Sequence, residues 1–223
     1  SSYGLTGMAE GEFAVQDLTW EIVNKMNLGV ELGFLNGMID LQLDYFDERR
    51  KDIFMPRESV PMTAGFMKQP WKNFGKVTNQ GVEVSLNVNK QFGKDLFVSL
   101  MGTFTYAHNE ITEKDEPSAV VGTNRAETGH PVGQLTGYIA EGLFTEDDFE
   151  DVSTGKLKEG IPTQSFVGKL RPGDIRYRDV NGDGKVDVFD KSPIGGTKDP
   201  EIVYGFGLNM KYKDLDFGAL FQG

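Results

Sequence analysis

From Met26 to Phe34 the chain alternates without a break. Met26, Leu28, Val30, Leu32 and Phe34 fall on one side, and Asn27, Gly29, Glu31 and Gly33 on the other. A period of two is the signature of a strand with one apolar and one polar face. Asn36-Gly37 follows, a pair that accepts the positive φ values of a type I′ turn. Ile39, Leu41, Leu43 and Tyr45 then alternate with Asp40, Gln42 and Asp44, so the first hairpin is complete. A second hairpin sets Val82, Val84, Leu86 and Val88 against Glu83, Ser85, Asn87 and Asn89. It turns at Gly93-Lys94-Asp95 and returns through Leu96, Val98, Leu100, Phe104 and Tyr106. In the third, Tyr204, Phe206, Leu208, Met210 and Tyr212 lead through Lys213-Asp214 to Leu215, Phe217, Ala219 and Phe221.

The intervening stretches, about 47–80 and 108–200, are rich in Pro, Gly and charge. Loops longer than about 15 residues are uncommon in compact domains and usually carry function. Short turns at one end of the strands and long loops at the other are the layout of an outer-membrane β-barrel. The pattern predicts an all-β fold: antiparallel strands of a large barrel, with apolar residues toward lipid and polar residues toward a wet interior. Phe34, Tyr45, Tyr106, Tyr204 and Tyr212 stand at strand ends, where barrels carry aromatic girdles. A soluble antiparallel sheet with one face on a core would alternate in the same way.

Composition narrows the classes. Twenty-eight glycines, 16 Phe and a modest hydrophobic share of 38% suit strands and tight turns better than a helical bundle. A net charge of −11 argues against nucleic acid, whose phosphates need a Lys/Arg excess. The absence of cysteine removes disulfides and thiolate metal sites. The opening SSYGLTG has neither the basic nor the apolar region of a signal peptide, and no run of apolar residues is long enough for a spanning helix.

One stretch, DVNGDGKVDVFD at 179–190, has calcium-loop spacing. Asp179, Asn181, Asp183, Asp187 and Asp190 supply oxygens at positions 1, 3, 5, 9 and 12, Lys185 offers its backbone carbonyl at position 7, and Gly184 makes the turn at position 6. Asp at position 12 is one methylene shorter than the usual Glu, and Val186 takes the apolar position 8. The expected ion is a structural Ca2+ that pins the loop; the alternative is a solvated Asx/Gly turn. No helix pair flanks the loop, which sets aside a sensor or a docking module.

Catalytic signals are absent, and the chain is read as no enzyme. His108 and His130 are distant in sequence and read as ordinary loop residues, while Glu146-Asp147-Asp148 and Glu150-Asp151 read as a solvated acidic loop. Trp71, with Phe66, Met67 and Phe74 nearby, is placed in a long loop, where packing is the plainer reading than stacking on sugars.

Several stretches together resemble the SusC/RagA family of TonB-dependent outer-membrane transporters of Bacteroidetes. They are DLTWE at 17–21, NLGVELGFLNGMIDLQLDYFDERRKDIF at 27–54, NFGKVTNQGVEVSLN at 73–87, GHPVGQLTGYIAEGLFTEDDF at 129–149, PGDIRYRDVNGDGKVD at 172–187 and PEIVYGFGLNMKYKDLDFGALFQG at 200–223. The resemblance implies a barrel of roughly 22 strands closed by a plug, energised by TonB and capped by a SusD-like lipoprotein. It would import oligosaccharide or oligopeptide nutrients. Residues 1–223 would then be part of one barrel domain, roughly six strands in three hairpins, contacting TonB only through a missing N-terminal part. The 108–200 excursion, with its calcium-like loop at 179–190, would face the extracellular side. The alternative function is a secreted, non-transporting β-protein with a calcium-stabilised loop for binding carbohydrate or protein.

Overall fold

A computed structural model describes residues 15, 17–61, 63 and 68–223. Phe66 and Met67 lie outside the described residues. Fourteen strands follow in order: β1 (Ile22–Phe34), β2 (Ile39–Pro56), β3 (Trp71–Phe92), β4 (Leu96–Glu113), β5 (Gln134–Gly137), β6 (Ala140–Leu143) and β7 (Phe149–Asp151). Then come β8 (Lys156–Leu157), β9 (Thr163–Gln164), β10 (Ile175–Tyr177), β11 (Lys185–Val186), β12 (Ser192–Thr197), β13 (Ile202–Tyr212) and β14 (Leu215–Gln222). The chain divides into two compact units. One comprises residues 1–115, 128–132 and 199–223; the other comprises 116–127 and 133–198.

The first unit is a six-stranded antiparallel sheet in the order β1-β2-β3-β4-β13-β14. Its three hairpins are those the alternation predicts. In the first turn Asn36 and Gly37 have φ of 55° and 79°, and the Met38 N–H donates to the Leu35 carbonyl at 3.3 Å, as a type I′ turn requires. The neighbouring turns are also tied together, since the Lys213 N–H donates to the Asp95 carbonyl at 2.9 Å.

The strands run further than their apolar alternation does. β2 continues to Pro56 and β3 begins at Trp71, so Trp71 and Phe74 are strand residues rather than loop residues, and much of 47–80 is ladder. β4 reaches Glu113, which puts His108 on a strand. Beyond Tyr45 the positions on both faces of β2 become charged (Asp47, Glu48, Arg49, Arg50), and the sequence periodicity vanishes while backbone pairing persists. A bulge between Arg50 and Ile53, with Asp52 at φ 59°, then re-aims the strand.

Gly81 is required by close approach. A Cβ there would lie 2.2 Å from the Tyr106 carbonyl oxygen and 2.4 Å from the Phe46 ring, because Phe46 on β2 pairs with Gly81 and lies over it. Gly102 on β4 faces open space.

The second unit is built from small pieces. Among the described residues it holds four two-stranded ladders, β10-β6, β12-β5, β7-β8 and the parallel β11-β9, and a buried cluster of Phe144, Phe149 and Leu170. Leu157, Ile161 and Val167 pack against that cluster. The segment that reads as loop in sequence therefore has a core of its own.

Gly81→Ala is expected to destabilise the sheet by about 1–3 kcal/mol through overpacking, and Gly102→Ala to leave it nearly unchanged. Urea unfolding of the complete protein in detergent would compare them, and equal midpoints would refute the close-approach argument.

Candidate functional site

Two features of the described residues answer to what the sequence predicts. The first is the apolar face of the sheet, and strand register defines it. Going from the loop ends toward the turns, Leu28, Tyr45, Val82, Tyr106 and Ile202 form one cross-strand row. The next holds Val30, Leu43, Val84, Phe104 and Tyr204, and the third Leu32, Leu41, Leu86, Gly102, Phe206 and Phe221. Phe34, Ile39, Val88, Leu100, Leu208 and Ala219 follow, and the band closes on Phe92, Leu96, Tyr212 and Leu215. The row between these two is Lys90, Val98, Met210 and Phe217, and Lys90 is the only charged side chain in the band. It stands one row from the turns, where a long cation can reach polar surroundings.

Most of these side chains are exposed. From Val82 to Phe92 the band covers about 34 Å of strand, or about 24 Å at a 45° tilt, which equals the apolar height of an outer-membrane barrel. Tyr45 and Tyr106 mark its loop-side edge, with Tyr204 one row inside it, and Tyr212 marks its turn-side edge, with Phe34 two rows inside that. In the row beyond Tyr45 the same face turns polar. Asp47 accepts hydrogen bonds from Arg49 Nε (3.1 Å) and Gln80 Nε2 (3.1 Å), and His108 Nδ1 lies 2.6 Å from Glu201 Oε1. His130 contributes only its backbone carbonyl, which accepts from the Ile111 N–H at 2.9 Å.

The opposite face is mixed and mostly polar, with Glu31, Gln42, Ser85 and Thr103 in one row and Asp44, Glu83 and Thr105 in the next. One face thus suits hydrocarbon and the other water.

The second feature is the loop at 179–190, which lies in the second unit. Asp190 is fully buried. Its Oδ1 accepts from the Val180 (2.8 Å) and Asn181 (3.3 Å) N–H groups, and its Oδ2 from the Asp187 N–H (2.7 Å). Asp179 accepts from the N–H groups of Gly182 (2.7 Å), Asp183 (3.3 Å) and Gly184 (2.8 Å). Asn181 Oδ1 takes the Asp183 N–H at 2.9 Å, and Asp183 Oδ1 the Lys185 N–H at 3.0 Å. Asp187 caps the single 3-10 turn Val188–Asp190 by accepting the Phe189 N–H at 2.9 Å, and that bond holds its carboxyl below the usual range. The Lys185 ammonium sits 3.2 Å from Asp187 and is raised by that contact.

All six sequence-predicted residues therefore fall in one loop. Their oxygens close the loop on its own N–H groups, and among the described residues no set of three or more His, Cys, Asp or Glu side chains is arranged to hold a metal ion.

Gln164 anchors this loop to the rest of the unit, and nothing in its sequence context marks it. The parallel β11-β9 ladder brings it beside buried Val186. Its Nε2 donates to the Ile175 carbonyl (3.1 Å), and its Oε1 accepts from the Tyr177 N–H (2.9 Å). Beside it, Tyr138 stacks on Phe166 with centroids 4.4 Å apart, and Tyr177 packs against both. From the other side Asn124 Nδ2 donates to the carbonyls of Phe189 (3.0 Å) and Lys191 (2.8 Å), and the Arg125 guanidinium lies over the Phe189 ring.

An antiparallel sheet with a bilayer-high apolar face, joined by short turns and by one long folded connection between β4 and β13, defines a stretch of membrane β-barrel wall. The chain belongs to the family described as TonB dependent receptor-like, beta-barrel, whose model matches residues 1–210. Barrels of that family are outer-membrane receptors and transporters, not enzymes. TonB-dependent receptor P3 of Formosa agariphila is 24% identical over an alignment of 229 positions that covers 98% of this chain and 22% of that protein. TonB-dependent receptor SusC of Bacteroides thetaiotaomicron is 28% identical over 207 residues, 91% of this chain and 19% of that protein. Among solved structures, a RagAB peptide importer in an open-open state aligns with a TM-score of 0.65 and 22% identity, over 100% of this chain and 22% of that one. The likeness to RagAB establishes the fold. The chain spans about a fifth of the length of these relatives.

Asp190→Ala would strand three N–H groups. It is expected to lower hydrogen-exchange protection at Val180, Asn181 and Asp187 about tenfold or more, equivalent to 1–3 kcal/mol. Asp183→Ala, on the exposed rim, should change these amides little in chelator-treated buffer. Equal losses in the two variants would mean that Asp190 does not organise the loop.

Proposed function

We propose that this chain is part of the barrel wall of a TonB-dependent importer that takes oligomeric nutrients, glycan or peptide, across the outer membrane with a SusD-like lipoprotein. The carrying observation is the apolar band, one bilayer high with Lys90 as its single charge, exposed on one face of six paired strands. Family membership, the SusC relative and the RagAB fold support the rest of the reading. TonB would engage parts of the protein beyond these residues.

The unit at 116–127 and 133–198 is inserted between β4 and β13 at their ends away from the short turns. In this reading it faces outward, as the longer connections of such barrels do. Because the chain has no cysteine, Val152→Cys in this unit and Lys94→Cys in a short turn can report orientation in the complete protein. Intact cells treated with a membrane-impermeant maleimide should label Val152→Cys alone, and Lys94→Cys only after lysis. The reverse pattern would overturn the orientation. Loss of uptake of fluorescent oligosaccharides or oligopeptides in cells lacking the complete protein tests import itself.

For 179–190 we propose a structural Ca2+, supported by the spacing of its oxygen donors. Since those oxygens already hold backbone N–H groups, binding entails re-aiming Asp183 and Asp187, and affinity is expected in the range of about 10⁻⁴–10⁻³ M. Calorimetric titration of the chelator-treated chain should show such binding, lost in Asp183→Ala. No heat in the wild type would leave the loop as a self-capped Asx/Gly turn.

A further inference from the structure

In the second unit the chain from Thr154 through β8 and β9 to Leu170 lines an open concavity of about 390 Å³. Its lining includes three lysines, Lys156, Lys158 and Lys169, against a single carboxylate, Glu159. In a chain of net charge −11 this local excess of cations runs against the background. We propose that the concavity is a subsite for the carboxylate group of an acidic oligomer, a reading that rests on the nutrient-capture function above.

Two of the lysines are held in place by neighbours. Lys156 Nζ lies 2.6 Å from Glu150 Oε2, and Lys169 Nζ donates to the Ser153 carbonyl. Each ammonium has three N–H donors, so one such contact leaves two for a ligand. The Lys158 side chain makes no hydrogen bond or ion pair among the described residues, and its charge favours the ionised form of the nearby Asp148 carboxyl. Its backbone is fixed, since its N–H donates to the Asp148 carbonyl at 3.0 Å and its carbonyl accepts from the Ile161 N–H at 3.3 Å.

The floor is apolar and rigid. Leu157, Ile161 and Leu170 line the concavity and belong to the packed cluster around Phe144 and Phe149. Gly155, at φ 78°, lets the β7–β8 turn close onto this floor, where a Cβ would lie 2.7 Å from the Leu170 carbonyl oxygen. The volume lies within the range of small-ligand sites, about 300–1,000 Å³. An aliphatic floor under a rim of ammoniums fits a small carboxylate-bearing unit, and both a uronic sugar and a peptide C-terminus carry that group.

A lone exposed ion pair contributes little, so the recognition depends on several lysines converging on one anion. Binding should therefore be weak, salt-sensitive and selective for charge.

The test is calorimetric binding to the purified complete protein in detergent, with trigalacturonate, trialanine and the neutral maltotriose as probes. Trigalacturonate or trialanine should bind at up to millimolar concentration and maltotriose should not. Whichever carboxylate probe binds identifies the source. Lys158→Ala should weaken binding about two- to fivefold, the triple Lys156→Ala/Lys158→Ala/Lys169→Ala variant should abolish it, and Glu159→Gln should strengthen it. Unchanged circular dichroism would show that the variants are folded. The subsite is overturned if no carboxylate probe binds, if maltotriose binds equally well, or if the triple variant binds as the wild type does. Uptake measured in the same cells separates the two readings. Lysine-dependent binding without any import would refute the importer and leave the subsite standing, whereas import with lysine-independent binding would do the opposite.

Discussion

In hydrocarbon there is no water to satisfy an open N–H or C=O, so every backbone group at that depth must be paired by another strand. The rest of the first unit follows from this constraint. It demands long, unbroken ladders: β3 and β4 pair across the full height of the apolar band, and β2 pairs with β3 from Tyr45 to Ile39. It also demands register, because a slip by one residue would turn Leu41, Leu43 and Tyr45 to the polar side and Asp40, Gln42 and Asp44 toward lipid. The short turns set that register. The Asn36-Gly37 turn fixes Phe34 opposite Ile39, and the rows of Leu, Val, Phe and Tyr then fall in line across the six strands.

The same constraint explains what was legible in the sequence. Where one face meets apolar surroundings and the other water, the residues alternate, and the three hairpins and the aromatic edges can be read directly. Once β2 and β3 leave the band, both faces are polar and the period-two signal disappears although the ladder continues. For that reason Trp71, Phe74 and His108 look like loop residues in sequence and are strand residues in space. The backbone pairs there because its neighbour is present, not because its own side chains ask for it.

The loop at 179–190 was legible in a different way. Its Asp, Asn and Gly spacing is local, so the sequence reveals that the oxygens gather in one turn. What they gather around depends on partners far along the chain, among them Gln164, Asn124 and Arg125. Buried Asp190 with three N–H donors shows that a carboxylate at the last position can serve the backbone directly. Gln164 was invisible because a glutamine in a Gly- and Pro-rich stretch has no pattern to betray it; its role comes from the β11-β9 pairing and from its bonds to the backbone of Ile175 and Tyr177.

The two units also bury their apolar groups differently, and this decides between a membrane wall and a soluble sheet. The fully packed hydrophobic residues Phe144, Phe149, Leu170 and Val186 all lie in the smaller unit, and of the described sheet residues only Ile111 joins them. Along the band, Leu28, Val30, Phe104, Phe206, Phe217 and their row neighbours stay exposed. Exposed apolar patches on soluble monomers rarely exceed a few hundred Å², and a face of six strands is well beyond that. A secreted β-protein would need a second layer over these rows, and none of the described residues supplies one. Lipid supplies the same cover without any further chain, since each row then meets acyl groups on one side and water on the other. The alternation that first marked the strands is thus also the reason the sheet belongs in a bilayer: it keeps apolar side chains out of its own interior and presents them to an apolar solvent.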